Sequence, residues 1–253
     1  MEVYGDCQTG GWSNGACCAI VPYSIYSGTS SGSIGLAGLD NTINSCDSDS
    51  AFDMINQLGG SPTAGGTWYN SFSSVVSSTF DPSSSPSGTY LYIVPGSGIA
   101  CPDHTAFLSI TVYNSPIVNL PPLAGMCDNE APLTLSSGTP AGGTYLVNGN
   151  SATTFTPSPS NIGLNTITYN YTSFNGCSGS STENIIVYES PYASDSTSNA
   201  SCYGFSDGTA TLNINGGSPI YTTNWYGMNP LALPAGIYGY TVTDQNSCSF
   251  SDS

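Results

Sequence analysis

The chain has 253 residues; sixteen are Asp or Glu, one is His and none is Lys or Arg, giving a formal net charge of −16. With no cation to pair with phosphate, nucleic-acid binding and attraction to an anionic membrane surface are excluded, as are a P-loop lysine, Schiff-base chemistry and arginine clamps. Only 6% of residues are charged, yet 38% are hydrophobic and seventeen are Tyr, enough apolar surface for small cores rather than a disordered chain.

Residues 1–35 match nothing that follows them. They hold a strand-like stretch, "ACCAIVPYSIY" (16–26), and a linker-like one, "SGTSSGSIG" (27–35). The opening lacks the charged and apolar regions of a signal peptide, and no stretch reaches the ~18–20 apolar residues of a membrane span. No membrane insertion is expected, and the chain reads as a fragment or processed product of a secreted protein.

Two similar units follow, over 36–115 and 116–190. The first reads "CDSDSAFDMINQLGGSPTAGGTW", then "STFDPSSSPSGTYLYIV", Cys101 and "AFLSITVYNSP". The second reads "CDNEAPLTLSSGTPAGGTY", then "TTFTPSPSNIGLNTITYNY", Cys177 and "ENIIVYESP". A repeat of this length suits tandem autonomous domains rather than a solenoid. The segments "TYLYIV" (89–94), "FLSITVY" (107–113), "NTITYNY" (165–171) and "NIIVY" (184–188) alternate with a period of two and predict strands. "SAFDMINQL" (50–58) is the best helical candidate, but its alignment with "EAPLTL" favours a strand. The shared "GSPTAGGTW" and "GTPAGGTY" have no strand-to-helix context and no G-K-[ST], so they predict a hairpin or strand-entry turn, not a phosphate loop. The Pro of each closing "SP" marks a link to the next domain.

The third unit, 191–253, contains strands "TATLNI" and "IYGYTVTD", a turn "NGGSP" and a core candidate, Trp225; its last strand is cut short at Ser253. The whole reads as all-β, a row of tandem Ig-like β-sandwiches.

Nine cysteines occur without a C-x-x-C pair, and a single His cannot complete a zinc site. Cys46 and Cys101, Cys127 and Cys177, and Cys202 and Cys248 are 55, 50 and 46 residues apart. These near-equal spans predict one bridge inside each sandwich, formed in an oxidising compartment. Cys7, Cys17 and Cys18 are left, with partners open.

The carboxylates Asp47 and Asp49, Asp128 and Glu130, and Asp207 with Asp244 lie near these cysteines. They are candidate Ca²⁺ ligands, since calcium takes several oxygens. No EF-hand spacing is present, and solvated loop acids are the plainer expectation. His104 beside Asp103 could serve a base, but no nucleophile pairs with it, and a solvent-facing loop His is expected. Asn170 and Asn199 open N-x-Thr/Ser sequons, while Ser50 in "DSA" and Ser196 in "DST" are O-glycan candidates. Exposed aromatics could stack on sugars, though strand alternation places most of them in cores.

The third unit resembles the SprB-type repeat of Bacteroidetes gliding-motility adhesins. The pattern falls on Cys202, Gly204, Asp207, Gly208, Gly216, Gly217, Pro219, Tyr221, Trp225, Leu233, Ala235, Gly236, Tyr238, Val242, Asp244 and Cys248. The first two units are similar to the Ig-like or PKD-like repeats of the same proteins. The resemblance implies export by the type IX secretion system and display at the outer cell surface in long fibres, with neighbouring repeats or other copies as partners and a surface or glycan as ligand. A non-enzymatic adhesive or structural segment is therefore expected, and a carbohydrate-binding or spacer segment of a large secreted hydrolase is the alternative.

Overall fold

A computed structural model describes residues 35–96 and 103–253, which form two compact units. One takes in the described residues up to Ser115 together with the short stretch Ser173–Cys177; the other takes in Pro116–Thr172 and Ser178–Ser253. The predicted strand stretch 16–26, and Cys7, Cys17, Cys18 and Cys101, lie outside the described residues.

The first sandwich is built from β1 (Asn41–Cys46), β2 (Phe52–Asp53), β3 (Thr67–Tyr69), β4 (Val75–Val76), β5 (Thr79–Phe80), β6 (Gly88–Val94) and β7 (His104–Tyr113). Five strands form one sheet in the order β1-β7-β6-β3-β4, and β2 pairs with β5 across the core. Every pairing is antiparallel except that of the first strand with the last, β1 with β7. The second sandwich repeats this plan with β8 (Met126–Cys127), β9 (Leu133–Thr134), β10 (Thr144–Val147), β11 (Asn150–Ser151), β12 (Thr154–Phe155), β13 (Gly163–Thr172) and β14 (Ser178–Tyr188). Its five-stranded sheet runs β11-β10-β13-β14-β8, β8 lies parallel to β14, and β9 pairs with β12. This two-sheet arrangement, with its Greek-key crossings, is the Ig-like sandwich the alternation predicts.

The alternation also sets the burial. Along β6, Tyr90, Tyr92 and Val94 point inward; along β7, Ala106, Leu108 and Ile110 do. In the second sandwich Ile167, Tyr169, Ile185 and Val187 fill the same roles around Phe155. Residues 50–58 combine the two expectations for them. β2 is two residues long, and a 3₁₀ turn over Met54–Gln57 then buries Met54.

The repeated Gly-Gly phrase has a packing cause. Gly66 and Gly143 immediately precede β3 and β10 and lie against Tyr92 and Tyr169. The Gly66 amide donates to Tyr92 Oη at 2.9 Å, and that hydroxyl donates to the Thr63 carbonyl at 2.7 Å. In the second sandwich the Gly143 amide donates to Tyr169 Oη at 2.7 Å, and Tyr169 donates to the Pro140 carbonyl. The register is the same, Trp68 opposite Tyr92 and Tyr145 opposite Tyr169, with ring centroids 4.8 and 4.6 Å apart. The phrase is thus a strand-entry turn wrapped on a buried tyrosine, and a side chain in place of Gly66 or Gly143 has no room.

The third sandwich is smaller: β15 (Pro191–Ser198) pairs with β16 (Thr209–Gly216), facing β17 (Thr222–Asn224), β18 (Tyr240–Thr243) and β19 (Ser249–Asp252). Here the first strand joins the second instead of the last. Tyr238 donates to the Pro234 carbonyl at 2.8 Å, as Tyr90 does to Pro86 at 2.7 Å, a tyrosine-corner contact at the entry to the penultimate strand. Trp225 is half-buried against Tyr240, with ring centroids 5.3 Å apart.

Candidate functional site

The most regular chemistry in the chain lies in the turns that carry cysteines. In the first sandwich β1 ends at Cys46, where the Asp47 amide donates to the Tyr113 carbonyl at 2.9 Å and the Asp49 amide to the Cys46 carbonyl at 3.0 Å. Asp49 in turn accepts the Cys46 amide at 2.7 Å, and Asp47 accepts the Ser115 amide at 2.8 Å. The second sandwich repeats each bond. Asp128 donates to Tyr188 at 2.9 Å and Glu130 to Cys127 at 3.1 Å through their amides. The Glu130 carboxylate accepts the Cys127 amide at 3.2 Å, and Asp128 accepts the Ser190 amide at 3.0 Å. "CDSD" and "CDNE" are therefore one self-locking turn, which clamps the end of the first strand to the end of the last.

The hairpin between the last two strands is equally regular. In "SFNGC" the Ser173 amide donates to the Cys177 carbonyl at 2.8 Å, and in "DQNSC" the Asp244 amide donates to Cys248 at 2.9 Å. Both turns place the residue before the cysteine at positive φ, Gly176 at 89° and Ser247 at 69°.

These turns are joined by disulfides, Cys46–Cys177 and Cys127–Cys248, each with Cα atoms 5.5 Å apart. The expected pairs Cys46–Cys101, Cys127–Cys177 and Cys202–Cys248 are overturned; Cys202 is an exposed free thiol. The reason is strand direction. Cys127 pairs with Tyr188 at the far end of β14, whereas Cys177 immediately precedes Ser178 at its start. Eleven residues of strand separate those ends by roughly 35 Å, at about 3.3 Å per residue, whereas a disulfide needs Cα atoms about 4.4–6.8 Å apart. Cys46 likewise sits opposite Tyr113, at the end of ten-residue β7 remote from that strand's start at His104. Each first-strand cysteine instead bonds a hairpin cysteine one repeat further along. In the chain-entropy account, loops spanning 131 and 121 residues are each stabilised by about 5 kcal/mol, within an observed range of about 0–5 kcal/mol.

The six carboxylates proposed as calcium ligands hold these turns. Besides the four above, Asp207 accepts the Ser201 amide at 2.9 Å. Buried Asp244 accepts the amides of Ser218, Asn246 and Cys248 at 2.8, 2.9 and 2.8 Å, tying the Gly216-Gly217 turn to the hairpin. Both glycines are left-handed, at φ 66° and 63°. No cluster of three or more Asp, Glu, His or Cys suited to a metal ion occurs among the described residues.

The Ser115 hydroxyl and amide hold Asp47 below its ordinary pKa of 3.8, and Ser201 and Ser83 do the same for Asp207 and Asp81. A carboxylate depressed in the folded state stabilises it above the unfolded pKa and loses that contribution as pH falls through the folded value. The urea midpoint should therefore be level from about pH 5 to 8 and fall below about pH 4, with Asp47→Asn flattening part of the fall.

His104 is not a loop residue facing solvent. It opens β7, half-buried, and its Nδ1 accepts the Ala37 amide at 2.9 Å. Ser50, Ser196 and Asn199 are exposed, while Asn170 is half-buried within β13. Sequence reasoning missed a groove of about 500 Å³ in the third sandwich, lined by Trp225, Leu233, Ile237, Tyr238, Tyr240 and Asp195 among others. Tyr240 Oη is buried there without a hydrogen-bond partner among the described residues. Burial, and next the charges of Asp252 and Asp195, push its pKa up.

No known protein family and no curated protein matches the chain. Among solved structures, a fragment of Sidekick-1 with immunoglobulin domains 1–5 is similar at 12% identity and TM-score 0.28, covering 87% of this chain and 59% of that one. The I67–I69 fragment of titin is similar at 12% identity and TM-score 0.36, covering 84% and 94%. Protocadherin gamma B7 cadherin domains 1–4 are similar at 15% identity and TM-score 0.28, covering 87% and 73%. The chain thus spans under two thirds of the Sidekick-1 fragment. Its fold class rests on its own strand order, all-β with tandem Ig-like sandwiches.

Proposed function

We propose that this chain is a load-bearing, non-catalytic segment of an extracellular fibre or filament built of repeated β-sandwiches, divided as 36–115, 116–190 and 191–253 after an N-terminal segment. The observation that carries the reading is the pair of overlapping disulfides, in which each bridge has one end inside the loop closed by the other. Such bridges form in an oxidising compartment and limit how far the chain can be drawn out. The pattern over residues 202–248 that resembles gliding-motility adhesin repeats supports placing the fibre on the outer cell surface, with type IX export. The use of His104 Nδ1 as a backbone anchor supports the non-catalytic reading. Single-molecule stretching of the oxidised and reduced chain tests the proposal.

Calcium enters this reading as an optional ligand of the turn carboxylates, because their hydrogen bonds already close the turns. Adding a chelator should leave the melting temperature within about 2 °C, less than the shift from 1 kcal/mol in a chain of this size. A larger drop, reversed by Ca²⁺, would restore the acids to a metal-binding role.

The groove beside Trp225 and Tyr238 favours a second reading, a carbohydrate-binding segment of a secreted hydrolase, since aromatic faces stack on sugar rings. Glycan-array binding lost in Trp225→Ala would support it; a blank array would remove it.

A further inference from the structure

We propose that Cys202 is a further bridging position, and that its ligand is the hairpin cysteine of another β-sandwich of the kind that supplies Cys177 and Cys248. Two observations point there independently. The first is the bridge pattern. Cys46 and Cys127 end the first strands of their sandwiches and Cys202 follows the first strand of its own, and the first two each bond a cysteine that ends a five-residue hairpin turn. A carboxylate closes all three turns, with Asp49 and Glu130 accepting the cysteine's own amide and Asp207 the amide one residue before it. Cys202 lies four residues past the end of β15 instead of at a strand end, because β15 pairs with β16.

The second observation is the surface around it. Tyr203 is fully exposed and Phe205 is 59% exposed, two large aromatics within three residues of an exposed thiol. The corresponding neighbours at the bonded turns are acidic: Asp47 and Asp49, Asp128 and Glu130. Two exposed aromatics this close offer apolar area for a contact, and here they follow directly on a thiol whose counterparts are bonded.

The bond needs an oxidant, which a small disulfide such as oxidised glutathione supplies. The Cys202 thiolate attacks that S–S bond and expels one glutathione thiolate; the hairpin thiolate then attacks Cys202 Sγ and expels the second. The two protein thiols lose two electrons and two protons, and the small disulfide is reduced to two thiols.

The repeat supplies its own test. Five residues follow Cys177 before Glu183, and five follow Cys248 up to Ser253. Residues 183–253 can therefore be appended after Ser253 with the strand register kept. The extended chain is oxidised in a glutathione buffer and its bridges are mapped by mass spectrometry after Glu-C and pepsin digestion. The expected result is a bond from Cys202 to the appended hairpin cysteine, with loss of maleimide labelling at Cys202. Labelling should return when the appended cysteine is changed to Ser. A bond within one chain identifies a following sandwich as the source, and a bond between chains identifies a neighbouring molecule. Full labelling of Cys202, or a symmetric Cys202–Cys202 dimer, overturns the proposal.

A second arm does not depend on the appended sandwich folding. A peptide of residues 169–182, carrying its cysteine as the glutathione mixed disulfide, is offered to the natural chain. Cys202 should retain the peptide at least about tenfold over a scrambled one, a difference of about 30 mV in this two-electron couple. Equal retention contradicts the proposal. Either failure leaves the extension limit of the natural chain untouched, so the fibre reading is tested separately.

Discussion

Pulled between residues 35 and 253, the oxidised chain should stop extending at no more than about 240 Å, whereas the reduced chain should reach about 720–780 Å, at roughly 3.3–3.6 Å per residue. The limit follows from connectivity alone. Under tension the shortest covalent path runs eleven residues from 35 to 46, across to Cys177, fifty residues back to Cys127, across to Cys248, and five on to 253. That is roughly 66 residues of chain, less than a third of the 218 between the pulling points. Bridges inside each sandwich would leave the remaining segments free to extend in series. Replacing Cys127 and Cys248 by Ser should raise the limit to about 87 residues, roughly 290–310 Å. An oxidised chain that extends as far as the reduced one would show that the bridges do not carry load.

Gly143→Ala should lower the stability of the second sandwich by about 1–3 kcal/mol through overpacking, although it adds one methyl group to a residue with ordinary φ. The added Cβ would overlap the Asn170 carbonyl oxygen and the Tyr169 ring and hydroxyl, which are backbone and fully buried aromatic and cannot move aside cheaply. The substitution would also disturb the amide that donates to Tyr169 Oη. Two neighbours separate space from conformation. Gly142 has open surroundings but φ +98°, so Gly142→Ala should cost about 1 kcal/mol from backbone strain alone. Gly88 has open surroundings and no positive φ, so Gly88→Ala should fall within about 0.5 kcal/mol of the parent. Urea midpoints of the three variants check the order. Equal effects at 88 and 143 would show that the Gly-Gly phrase does not pack on the tyrosine.

Much of the fold was legible because a half-buried strand writes its burial directly into alternate residues. The segments 89–94 and 165–171 were legible as strands, but the buried face of β6 was not, because Leu91 and Ile93 are as apolar as the inward Tyr90, Tyr92 and Val94. The Gly-Gly turn was legible as a turn, but not its cause, because the tyrosine it wraps lies 26 residues away. His104 was misplaced for a similar reason: its partner, the Ala37 amide, is 67 residues distant and carries no sequence signal.

The cysteines were misread because of the repeat itself. In a periodic chain, pairing within a repeat and pairing with the next repeat both give regular spacings, so separations of 55, 50 and 46 could not exclude 131 and 121. What breaks the tie is the parallel pairing of the first strand with the last, which carries Cys46 and Cys127 to the end of the sheet opposite the hairpin of the same sandwich. A signal was present in the long final strands between each hairpin cysteine and the closing "SP". The carboxylates beside the cysteines accept backbone amides of their own turns and of the segments next to them, partners that carry no sequence signal.

The most direct test of this account is bridge mapping on the natural chain by non-reducing mass spectrometry, with Glu-C and pepsin because trypsin has no site. The account predicts Cys46 linked to Cys177, Cys127 linked to Cys248, and Cys202 alkylated without reduction. Linked peptides joining Cys46 to Cys101, Cys127 to Cys177 or Cys202 to Cys248 would contradict it.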